Sequence, residues 1–414
     1  EWREFRRNAY VLYEQPVFRN FIQHTLNIIN SDEQLIKELL DLQNYRLIKW
    51  TNSSIVLNYR RFFTVNSLIS LRMEDDEVFN HYHRLIAEEV SSNRIDGLRI
   101  DHIDGLKKPL KYVENLRLLT GGDKYIVAEK ILGSRELLPF DIPLQGTSGY
   151  DFLGIVNSLL TYKKNYADLG NFYRKITGAK GDLKDLVYRK KKFILTKKMG
   201  GEWENLVRLL EESNLVAYDN YITRESMKNA IGEFLVLFPV YKFYSDSFPL
   251  TREESRSISS VLSRAVEKEP ALEQSLIVLG NLFLYQEGLN DRQKARALDF
   301  YLRCMQFTGP LMAKGVEDTV MYNYNLLIGH NEVGDDPGSE GITVEEYHRL
   351  MQERQKNWPM TMNATSTHDT KRGEDVRARL NILTEMSEEW KKNVRRWKEV
   401  NSEFRVESGG KGCS

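Results

Sequence analysis

The sequence predicts an α/β fold built on parallel strands, interrupted by a large helical block. Three observations carry this prediction. Helical and strand patterns alternate between Asp75 and Ile131, and charged residues follow directly on two short apolar runs. From about Asn157 to Arg303 the pattern then turns almost wholly helical. Alternation of this kind is the mark of parallel α/β units, whose ligands sit at the carboxyl ends of the strands.

Taken in order, the first 66 residues mix a helical pattern, "SDEQLIKELLDLQ", with "YRLIKW" and "SSIVLNYRRFF", which read as strand or loop. Ser31 is the expected cap of that helix. "DDEVFNHYHRLIAEEV" has apolar residues at helical spacing and ends in the turn-like "SSNR", after which "IDGLRI" reads as a strand. A second helix, "LKYVENLRLLT", is closed by Gly121 and Gly122, and the strand "KYIVAEKI" follows.

The helical block contains "DLVYRKKKFILTKKM", "ENLVRLLEESN" and "ESRSISSVLSRAVEKEPALEQSLIVLGNLFL". It is too long for a connecting loop and is expected to own a core. After it, "GPLMAKGVEDT" and "MTMNATSTHDT" are expected to be short apolar strands running into polar loops, with "GHNEVGDDPGSEG" a turn-rich surface loop between them. "VRARLNILTEMSEEWKKNVRRWKEVN" is strongly helical, and "SGGKGCS" has the composition of a tail.

The 414 residues carry 59 Lys+Arg against 59 Asp+Glu, so charge gives no footprint for nucleic acid or an acidic membrane surface. No apolar run approaches the roughly 20 residues of a membrane span. Two distant cysteines, Cys304 and Cys413, suit neither a disulfide framework nor a zinc cluster, and a reducing cytoplasm is the expected compartment. The first residues, "EWREFRRNAY", lack a signal-peptide pattern and read as an internal start.

Three strand ends carry acids: Asp101, Glu129 and Asp369. Parallel strands would bring them to one rim, as retaining glycoside chemistry needs, with two carboxyl groups roughly 5 Å apart. Arg99, on the same strand face as Asp101, would keep that acid charged, while Glu129 follows the apolar "YIVA" and would be raised by desolvation. Ordinary ion pairing competes at each position: Arg99 with Asp101, Lys130 with Glu129, and His368 and Asp369 as caps before Lys371 and Arg372. A metal set of Asp101, His102 and Asp104 is disfavoured, because strand neighbours point to opposite faces. "NYRRFF", "SGYDF" and "MYNYN" mix aromatics with polar groups in a way that suits sugar rings, and suits packing equally well.

"GLRIDHIDGL", "YIVAEKIL" and "STHDT" together resemble three ordered segments of the alpha-amylase superfamily of glycoside hydrolases. "NYRRFFTVNSLISLR", "QGTSGYDF", "FTGPLMAKGVEDT", "NEVGDDPG" and "NATSTHDTKRGEDVRARLNILTE" resemble, within it, the maltooligosyltrehalose synthase family. The resemblance implies Asp101 as nucleophile, Glu129 as acid/base and Asp369 as transition-state stabiliser. It further implies substrate contacts by Arg99, His102, His368, Lys130, Tyr150, Arg60 and Lys314, with no metal and no cofactor. Two departures stand out: Thr64 and Ser67 occupy positions where the family has acids, and the superfamily's first segment, with its Asn-His pair, is absent.

The implied architecture is part of a (β/α)8 barrel, about strands four to seven. Residues 1–74 would belong to the lobe after the third strand, 75–156 to the barrel with nucleophile and acid/base, 157–303 to the helical insertion, 304–400 to a returning barrel segment and 401–414 to a tail. The amino- and carboxyl-terminal parts of the full enzyme would be missing, and an open half-barrel would favour self-association through its edges. The implied reaction is intramolecular transglycosylation of a maltooligosaccharide to a terminal α,α-1,1 linkage. A catalytically silent carbohydrate binder and a hydrolytic amylase relative are the alternatives.

Overall fold

The structure is a computed structural model that describes residues 2–133, 136–179 and 181–404. From residue 405 onward the expected tail, Cys413 included, lies outside the described residues. Contacts divide the chain into two units, Glu1–Asn52 and Ser53–Ser414.

The first unit consists mainly of three helices, Trp2–Tyr13, Pro16–Ser31 and Glu33–Asp41. Pro16 opens the second helix, where its missing N–H costs nothing. The third is capped by Asp32 rather than Ser31. The Asp32 backbone is extended and its carboxylate accepts from the N–H groups of Gln34 and Leu35, while the Ser31 hydroxyl turns back to the Ile28 carbonyl at 2.9 Å.

In the second unit, β1 (Arg61–Phe62) and β2 (Val65–Ile69) form an antiparallel hairpin. The expected helix from Asp75 is two helices, Asp76–Tyr82 and Arg84–Ser91, parted at His83. Three parallel strands follow, β3 (Gly97–Ile100), β4 (Tyr125–Ala128) and β5 (Gly146–Thr147), adjacent in that order. The helix Pro109–Leu119 connects β3 to β4 and ends where Gly121 and Gly122 take positive φ. Ile100 faces Ala128 in the register, and the Glu129 N–H donates to the Ile100 carbonyl at 2.8 Å. The residues just beyond both strands are therefore neighbours. Ile103, Val113, Leu116, Ile126 and Ala128 make the core beneath this rim.

The helical block packs around Arg224–Leu237, whose Met227, Ala230, Ile231, Phe234 and Leu235 are fully buried. Leu183–Lys198, Gly200–Glu212, Arg252–Lys268 and Asp291–Met312 contribute to the same core. A capping box of Thr223 and Ser226 starts the central helix, and one of Asn290 and Gln293 starts the last.

Three expectations for the carboxyl-terminal third are corrected. "FTGPLMAKGVEDT" is not a strand: Asp291–Met312 runs through it, and Ala313–Glu317 continues as a π-helical turn. Its apolar residues Phe307 and Leu311 pack into the helical core, and so short an apolar run does not distinguish helix from strand by itself. "MTMNATSTHDT" is irregular, although the Met362 N–H donates to the Thr147 carbonyl at 3.2 Å beside β5. Among the described residues, 304–400 contribute no strand, and the unit is helix-rich with few strands. Nor is "GHNEVGDDPGSEG" a surface loop throughout: His330, Asn331 and Glu332 are fully buried, and within it Asp336 and Glu340 are exposed. Turn-forming residues announce a change of direction, not exposure. No helix is long and apolar enough to cross a membrane among the described residues.

Candidate active site

The carboxyl ends of β3 and β4 set Asp101 and Glu129 side by side. Arg99 reaches both: one guanidinium nitrogen is 2.6 Å from Asp101 Oδ1 and another 3.7 Å from Glu129 Oε2. The chain turns sharply after Asp101, with His102 at φ 46° and ψ 50°, and this aims the His102 N–H at Glu129 Oε2, 2.8 Å away. The His102 ring packs edge-on against both Phe62 and Phe63, at ring separations of 5.2 and 4.8 Å.

The two acids differ in environment. Burial pushes Glu129 up to about 7, opposed by the His102 N–H and reinforced by the Asp101 charge. Burial also acts on Asp101, whose side chain is 62% exposed, but hydrogen bonds with Arg99 and Glu129 outweigh it and hold this carboxyl below its ordinary value. One carboxyl group is thus set to hold a proton near neutrality while its neighbour stays ionised.

Asp369 lies on the irregular segment between Met362 and Thr370 and accepts from the Tyr150 hydroxyl at 2.6 Å. Tyr150 is itself buried, and its hydroxyl lies within the electrostatic reach of Arg99 and Glu129. Tyr150 thus links the third acid to the other two, by a hydrogen bond on one side and electrostatically on the other. His368 stands outside, largely exposed, with Nε2 3.4 Å from Asp369 Oδ2.

The remaining residues expected at the site are placed differently. Lys130 is buried beneath the rim, 2.7 Å from Glu136 and 3.3 Å from Asp104, whose other oxygen accepts from the Tyr244 hydroxyl at 2.8 Å. Burial disfavours the Lys130 charge, but the two carboxylates outweigh it and raise its pKa. Arg60 donates to the Gly105 carbonyl at 2.7 Å, and burial together with Arg303 lowers it to about 10. Lys314, on the π-helical turn, sits 4.9 Å from the Phe63 ring centre and pairs with Asp318 at 2.5 Å. Lys130 and Arg60 therefore underpin the loop that follows β3, whereas Lys314 borders it.

One group near the rim escaped sequence reasoning. Glu317, also on the π-helical turn, accepts from the Tyr241 hydroxyl and is pushed up to about 7 by burial. Phe62 and Phe63, by contrast, belong to the "NYRRFF" motif that the sequence already singles out as suited to sugar rings. A π-turn leaves no readable period, so Glu317 had no signal beyond its motif. Among the described residues no group of three or more His, Cys, Asp or Glu stands together as a metal site.

No family model matches the chain. Its sequence is 30% identical over 364 residues to a Mycobacterium tuberculosis protein bearing the name maltooligosyl trehalose synthase, covering 86% of this chain and 43% of that protein. Its fold matches the maltooligosyltrehalose synthase of Arthrobacter ramosus with a TM-score of 0.75 and 33% identity, over 86% of this chain and 44% of that one. A Sulfolobus tokodaii structure titled as a maltooligosyl trehalose synthase matches with a TM-score of 0.69 and 32% identity, over 89% and 44%. The chain thus spans less than half the length of the relatives it matches. By sequence and by fold, it is a partial-length relative of the maltooligosyltrehalose synthase family.

Proposed function

We propose that this chain carries the acids for intramolecular transglycosylation, converting the reducing-end α-1,4 linkage of a maltooligosaccharide to an α,α-1,1 linkage. The observation that carries the reading is the Asp101–Glu129 pair, carboxyl groups at the ends of adjacent strands and both within reach of Arg99, whose pKa values are driven apart by burial and by that arginine. The names of the relatives support the same chemistry. In this reading β3 to β5 are part of an incomplete (β/α)8 barrel, and residues 157–303 are its helical insertion.

Asp101 attacks the anomeric carbon of the last α-1,4 bond, and the Glu129 proton passes to the departing oxygen. A glycosyl ester on Asp101 and a free glucose result. The retained glucose turns and offers its anomeric hydroxyl; Glu129, now ionised, removes that proton as the new bond forms and the ester breaks. Asp369, held by Tyr150, stabilises the positive charge that develops on the sugar ring. The chemistry calls for no metal or organic cofactor. Slow escape of the glucose and exclusion of water separate this outcome from hydrolysis.

Incubation of the chain with maltopentaose tests the proposal. A non-reducing product of unchanged size is expected, and Asp101→Asn is expected to abolish it. Free glucose with shorter maltooligosaccharides would mean a hydrolase. The exposure of Asp101 favours a second reading, a catalytically silent chain that binds carbohydrate weakly. Binding of maltopentaose without turnover would establish that reading instead.

A further inference from the structure

The stretch "NEVGDDPG" plays no part in the chemistry above, yet it places a carboxylate, Glu332, where no water reaches it. A buried carboxylate needs strong donors, and both come from one place. Glu332 Oε2 accepts from the Lys371 N–H, and Oε1 lies 3.2 Å from the Arg372 guanidinium. These residues follow Asp369 by two and three positions. Asp369 itself sits in irregular backbone, so no strand ladder fixes its position.

The loop that presents Glu332 is anchored from several sides. Asn331 donates to the Met321 and Tyr324 carbonyls at 2.8 and 2.6 Å, and the His330 ring nitrogens lie 2.9 Å from Asp335 and 2.8 Å from the Thr161 hydroxyl. Gly334, at φ +87°, rests against the start of the helix Tyr150–Leu159, where a Cβ would come within 2.6 Å of the Tyr150 carbonyl oxygen. The same loop therefore touches the residue that donates to Asp369 and the backbone that follows Asp369.

We propose that Glu332 is a positioning residue for Asp369: by holding the Lys371 N–H it fixes the segment that presents the Asp369 carboxylate to the Tyr150 hydroxyl. The proposal rests on the reading of Asp369 as the acid that stabilises the reacting sugar. Glu332→Gln keeps one acceptor oxygen and removes the charge that binds both donors.

The test joins hydrogen–deuterium exchange with kinetics on the full 414-residue chain. Glu332→Gln should speed exchange of the amides of 366–372 at least tenfold, leave the helical block unchanged, and lower kcat at least tenfold with KM within about twofold. Unchanged exchange in that segment, or faster exchange spread over the whole chain, overturns the proposal. So does an altered KM with kcat intact. If wild type turns over no maltooligosaccharide, the proposed function fails, and the exchange arm alone decides whether Glu332 holds the segment. If Glu332→Gln does not fold, Glu332→Asp, which keeps the charge but draws it back from the Lys371 N–H, is read by the same criteria.

Discussion

Replacing Glu129 by Gln should stabilise the chain above neutral pH and leave its stability unchanged at pH 4. In the folded chain this carboxyl is raised from 4.5 to about 7, chiefly by burial. Its folded value lies above its unfolded one, so its contribution to stability is present in full below 4.5 and is lost as pH rises through about 7. At about 1.36 kcal/mol per pH unit, the loss has an upper bound of about 3 kcal/mol. Solvent reaches the rim and screens part of it, so about 1–2 kcal/mol is expected at pH 8.5. Gln has no proton to lose and keeps an acceptor for the His102 N–H, so the variant should escape this loss. Urea denaturation of both proteins at pH 4 and pH 8.5 measures it. A stability difference that is the same at the two pH values would refute the reasoning, because it would assign the effect to packing rather than to ionisation.

The same ionisation should shape turnover: kcat/KM for maltopentaose should fall above about pH 7 as Glu129 loses its proton, and an unchanged rate to pH 9 would deny it the acid role. Tyr150→Phe removes the donor to Asp369, so kcat should drop about 10- to 100-fold, the worth of a hydrogen bond to a charged group, with folding intact by circular dichroism. Lys130→Met leaves Asp104 and Glu136 buried without their cation, and should cost about 3–5 kcal/mol in urea denaturation. Phe234→Ala should cost a similar amount, about 3–5 kcal/mol, by opening a void in the helical core.

Much of the fold was legible where local chemistry and tertiary structure agree. Gly121 and Gly122 end a helix because only positive φ continues the chain there, and "IDGLRI" and "KYIVAEKI" become strands because their apolar runs bury against a common core. The Arg99–Asp101 contact was legible for a similar reason, since residues two apart on a strand share a face. What stayed hidden depends on partners distant in sequence. Phe307 and Leu311 read equally well as strand residues, and only packing against the helical core decides the matter. Lys130 looked like a surface partner for Glu129, whereas Asp104 and Glu136 draw it underneath. Glu332 sat in a run of turn formers, and its donors, Lys371 and Arg372, lie 39 and 40 residues away, beyond any periodicity.

The position of Arg99 has a further meaning for the proposed reaction cycle. Before attack, the pair comprises one aspartate anion and one neutral glutamic acid; once the ester forms, the aspartate is masked and the glutamate is the anion. Net charge is the same in both halves and only its address changes, from one carboxyl group to its neighbour. A planar cation already in reach of both oxygens serves as counterion throughout without moving, so neither half-reaction has to wait for a side chain or a water to reorient.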